Sequence, residues 1–78
     1  VQYPPKEKEM TTPYAPHQQR VLDEKAELDV KISKLADFAK AENAVFQGLP
    51  NAEAGRLIYQ LSVMREYSKV LGERIAAF

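Results

Sequence analysis

After Pro16, and as far as about Ala41, the chain carries neither proline nor glycine, and most of its residues are strong helix formers. Within this run Val21, Lys25, Leu28, Ile32, Leu35 and Ala39 recur at alternating spacings of four and three, and Leu22 and Phe38 widen the stripe. That is the seam of coiled-coil-like packing, so the spacing predicts a helix from Pro16, a residue suited to a first turn, to about Ala41. Lys25 is the one polar intruder on the seam. Asp23, Glu24, Glu27, Asp29, Lys31, Lys34 and Asp37 fall on other faces, where charged side chains are expected to solvate the surface.

A second run from about Pro50 or Asn51 to Ala77 repeats the pattern. Leu57, Leu61, Met64, Ser68, Leu71, Ile75 and Phe78 again alternate by four and three, while Ile58, Val63, Tyr67 and Val70 read as a second seam. Between the runs, Glu42 to Pro50 (ENAVFQGLP) is broken by Gly48 and Pro50. It is too apolar at Val45, Phe46 and Leu49 for a fully exposed loop, and a compact connection with Phe46 plugging the end of the helices is expected. Helices of roughly 25 and 27 residues would each be about 40 Å long, and a short connection makes them antiparallel neighbours. The expected fold is all-α: an antiparallel two-helix hairpin over residues 16–78, preceded by an extended N-terminal arm over residues 1–15.

Such a hairpin buries one stripe per helix and leaves the second seam in water, which predicts assembly into a helical-bundle homo-oligomer, most simply of four helices. Gly72 points the same way: glycine inside a helix costs about 0.5–1 kcal/mol relative to alanine, so close approach of another backbone is expected there. Size adds a further reason. A core drawn from 78 residues rarely supplies more than roughly 3–5 kcal/mol without a staple. With no cysteine and the single histidine His17, neither a disulfide nor a tetrahedral metal site is expected, which leaves a partner chain.

The N-terminal segment VQYPPKEKE has two readings. Pro4 and Pro5 with the charged run Lys6 to Glu9 suit an extended arm. Alternatively, Met10 is the natural start, Val1 reflects a GTG codon, and Lys-Glu-Lys-Glu translates a purine-rich ribosome-binding sequence. Further on, Pro13 and Pro16 keep TTPYAP extended. No apolar run is long enough for a membrane span and no signal-peptide pattern opens the chain, so a cytoplasmic protein is expected, in the host cytoplasm if phage-encoded. Eleven basic and eleven acidic residues give zero formal charge, which ranks nucleic-acid binding low.

Catalysis finds no foothold in the sequence. Ser33, Ser62 and Ser68 have no histidine at a matching helical position, Glu24 and Glu27 are an ordinary charged-helix pair, and no phosphate-binding loop is present. A non-enzyme without cofactor or metal is expected. The candidate ligand-binding residues form two groups. Tyr14, Pro16, His17 and Arg20, with Gln18 and Gln19, surround the start of the first helix, where backbone donors and the dipole favour anions. Arg65, Tyr67 and Lys69, with Arg74, lie on the second helix, where the like charges of Arg65 and Lys69 at a spacing of four call for an answering anion or for Glu66 or Glu73. Packing alone also accounts for Tyr14, as a staple at the helix end with a polar tip.

The stretch PYAPHQQRVLDEKAELDVKISKLADF, followed by F-x-x-L-P and L-x-x-x-L-x-x-M-x-x-Y-x-x-x-L-x-x-R-I, resembles a group of short proteins of tailed phages over nearly all of residues 13–78. More distantly, Tyr14 with Pro16 and Lys25 within Glu24 to Leu28 are similar to the phage anti-CBASS proteins that sequester cyclic oligonucleotides. Tryptophan is lacking in the second helix, and the Tyr/Pro segment lies closer to the first helix than in that family. The resemblance implies a phage anti-defence protein that binds a nucleotide-derived immune signal between protomers. Tyr14 would offer an aromatic face, and Arg20 and Lys25 would serve the phosphates. The alternative is an interaction or inhibitor protein acting through its exposed apolar helix face.

Overall fold

A computed structural model of the protein describes residues 13–78; the expected arm up to residue 12 and the proposed start at Met10 lie outside the described residues. The fold is all-α, with α1 Pro16–Phe38, the short α2 Ala44–Gln47 and α3 Asn51–Ala76. Pro16 opens α1 as expected. Ala15 is extended, and its N–H donates to the Gln18 side chain at 3.0 Å, satisfying one donor at the helix end.

The two seams meet as their spacing predicts. Val21, Leu61 and Leu71 are buried, with Leu71 fully enclosed. Leu28, Ile32, Leu35, Leu57, Met64 and Ile75 are half-buried alongside them, as are Leu22 and Phe38 at the margin. Cross-helix pairs run in opposite sequence order: the Tyr14 ring lies edge-on to Phe78 at 6.0 Å, Glu24 meets Tyr67, and Asp29 meets Ser68.

Two expectations about the middle of the chain need correction. Helix α1 ends at Phe38, short of Ala41, because Ala39 leaves helical geometry at ψ 54°. The connection then turns through an Asn43 N–H to Lys40 carbonyl bond of 3.0 Å. It is also helical, since Asn43 caps α2 by accepting from the Phe46 N–H at 2.9 Å. Phe46 plugs the end as expected, edge-on to Phe38 at 5.7 Å, but Val45 faces water.

Candidate functional site

Lys25 reaches the α1–α3 seam with its stem and leaves it with its ammonium. The Lys25 Nζ pairs with Asp29 Oδ2 at 2.7 Å one turn along the helix, and its side chain is 31% exposed. The other carboxylate oxygen of Asp29 accepts from the buried Ser68 hydroxyl at 2.5 Å. A lysine, a carboxylate and a serine thus form one cross-helix chain. The Lys25 ammonium, then the Ser68 hydroxyl, hold the Asp29 carboxyl below the usual aspartate range, against the opposing effect of burial.

Gly72 completes this side. A methyl group built at Gly72 would meet only the Lys25 Cε, at 3.4 Å. The space expected to admit another backbone is therefore occupied by a lysine stem from α1, an aliphatic chain lying along the interface with its charged end in solvent.

On the other flank, the exposed Tyr67 donates its hydroxyl to Glu24 Oε2. The Glu24 bond, with burial added, raises the Tyr67 phenol above the usual tyrosine range, and the Arg74 charge partly offsets the rise. Glu24 and Asp29 are five positions apart on α1, about 140° around the helix, which accounts for the two hydroxyl links emerging on opposite flanks of the seam.

The sequence-predicted residues are therefore only partly brought together. Tyr14, Pro16, His17 and Arg20 sit at the start of α1, beside the end of α3, with Pro16, His17 and Arg20 exposed. Lys25 and Tyr67 lie on opposite flanks. Arg65 and Lys69 do not join Tyr67 as the expected group: each is two positions from it, about 200° around the helix, and faces another side. Neither finds an acidic answer in Glu66 or Glu73, and among the described residues Arg20, Arg65, Lys69 and Arg74 take part in no ion pair. Sequence reasoning missed Asp29 and placed Ser68 on the seam without a partner. A lone hydroxyl on an otherwise apolar stripe was the available signal, since a buried polar group needs one.

Among the described residues no cluster of histidine and carboxylates could hold a metal ion, and no helix is long and apolar enough to cross a membrane. What the fold and these side chains define is a small all-α protein, built on two long packed helices tied by hydroxyl–carboxylate links. A family model described as Sequestin matches residues 15–77, and the chain belongs to the Sequestin family. The family name points to a sequestering protein, one that holds a ligand rather than converting it. Searches of curated proteins and of solved structures return no match.

Proposed function

We propose that this protein is a phage anti-defence factor that binds and sequesters a nucleotide-derived immune signal in the host cytoplasm, in a site shared between protomers of a helical-bundle homo-oligomer. The observation that carries the reading is the Sequestin match over residues 15–77. The chemistry at the α1 start supports it: an aromatic ring at Tyr14, and an Arg20 side chain without an ion-pair partner among the described residues. Stacking on the ring and charge-assisted bonds to phosphate are what a nucleotide requires.

In this reading Tyr14, Pro16, His17 and Arg20 form one wall, Lys25 serves the phosphates from one flank and Tyr67 contributes from the other. Arg65 and Lys69 supply positive charge from a separate face of α3. One helix pair offers little wall, so a neighbouring protomer closes the site.

The test is thermal denaturation with a panel of cyclic di- and trinucleotides and ADP-ribose derivatives. A ligand held only by the native state stabilises it by about 2.7 kcal/mol at a hundredfold excess over Kd. A rise in Tm with at least one member is expected; no rise with any at saturating concentration defeats the proposal. Tyr14→Ala and Lys25→Ala should each abolish the rise without changing the oligomer mass, and binding retained in both refutes the residue assignment.

A further inference from the structure

One side of α3 is left without a partner. Tyr59 is 72% exposed, and Val63, Tyr67 and Val70 are each nearly half exposed. At about 100° per residue, Tyr59, Val63, Tyr67, Val70 and Arg74 fall within one quarter-turn of the helix surface. Ile58, which the sequence pattern assigns to the same seam, falls on the far side. The true stripe thus runs through Tyr59 and ends at Arg74.

This stripe is self-complementary. If a second copy of α3 lies antiparallel across it, with the two-fold axis passing between Glu66 and Tyr67, Val63 meets Val70 of the second copy, and Tyr59 meets its Arg74. Each pair occurs twice, as an isologous interface requires. The valines supply an apolar centre. At both ends a guanidinium with no ion-pair partner among the described residues lies against an exposed phenol ring, a cation–π pairing. Glu66 lies at the outer edge of the stripe, from which its carboxylate can turn to water.

We infer that the protein self-associates through the Tyr59–Val63–Tyr67–Val70–Arg74 face of α3, packed antiparallel against the same face of a second copy. The inference rests on the proposed homo-oligomer and gives it a face and a register. It also adds to the proposed site: Tyr59 of the second copy reaches Arg74, near the end of the molecule where Tyr14 meets Phe78.

The chain's lack of cysteine allows a direct test on the full protein. Val63→Cys and Val70→Cys proteins, mixed and oxidised, should form a disulfide between the two variants well above the yield of either alone. Val70→Glu should lower the mass measured by light scattering to that of a single chain or of a smaller assembly, with helicity by circular dichroism retained. Tyr59→Ser provides a second disruption at a side chain too exposed to matter for the fold. No preferential cross-link, or an unchanged mass in both surface variants, overturns the interface. No ligand enters these measurements, so the outcomes separate. An oligomer that ignores Val70→Glu sinks this face alone, a monomeric parent protein sinks the shared site with it, and nucleotide binding is judged independently by Tm.

Discussion

The two flanks of the α1–α3 seam use the same chemistry to different ends. On one, Ser68 is buried, and its hydroxyl donates to a carboxylate already paired with Lys25, whose stem covers Gly72. On the other, an exposed tyrosine donates to Glu24, while Val63 and Val70 remain in water. A hydroxyl–carboxylate bond formed at a buried position selects the helix register, because breaking it leaves a buried group unsatisfied. The same bond at the surface costs little to exchange for water. It holds a ring in place without fixing the fold, and so leaves that flank for contacts with other molecules.

The largest test of this contrast removes the seam that both flanks share. Leu71→Ala, at a fully enclosed position, should cost about 2–5 kcal/mol in urea denaturation, enough to unfold much of a small protein. A loss well under that range would mean the core is not centred at Leu71. Ser68→Ala should cost about 1 kcal/mol. It should also weaken acid sensitivity, as should Asp29→Asn. Because the folded Asp29 carboxyl titrates below its unfolded value, its stabilising contribution is fully present above the unfolded pKa and is lost as pH falls through the folded one. Urea midpoints compared at neutral and acid pH report this directly, and an undiminished acid loss in Asp29→Asn would assign it elsewhere.

Gly72→Ala has the opposite sign. A methyl group there finds only ordinary contact with the end of a flexible lysine stem, so the better helix propensity should stabilise by about 0.5–1 kcal/mol and leave the oligomer mass unchanged. A drop in mass would restore the idea of a second backbone at Gly72. The smallest effect is expected at Tyr67→Phe, near neutral pH. The folded Tyr67 phenol titrates above its unfolded value, so its contribution is present below the unfolded pKa and is lost as pH rises through the folded one. Stability at neutral pH should change little, and a phenol that titrates above the usual tyrosine range should disappear from an ultraviolet pH titration.

The long helices were legible because burial imposes its period on the sequence: within the helices, every position of the first seam on each, Val21 to Leu35 and Leu57 to Ile75, is at least half-buried. The end of α1 was not, since neither glycine nor proline marks Ala39. Its signal lay further on, in Asn43 as a cap before Ala-Val-Phe. Of the site, Lys25 stood out as a charge on an apolar stripe. Its connection to Ser68 did not, because the register between helices depends on how two surfaces mesh, which spacing within one helix does not encode. The separation of Tyr67 from Arg65 and Lys69 follows from helical geometry alone, and grouping them by proximity in sequence obscured it.

The capped turn at Asn43 also bears on how the chain finds its fold. Phe38 and Phe46 are close in sequence and lie against one another at the connection, so their loop closes at small entropic cost. Beyond them, the pairing of Asp29 with Ser68 spans 39 residues and that of Glu24 with Tyr67 spans 43, and Tyr14 with Phe78 lies further out still. Each contact shortens the effective loop for the next. Assembly can therefore proceed like a zipper from the turn outward, a low-contact-order route that favours rapid folding. On that route the Tyr14–Phe78 pair, the outermost of these contacts, would close last and fray first, so amide exchange near Phe78 is expected to be faster than beside Leu71.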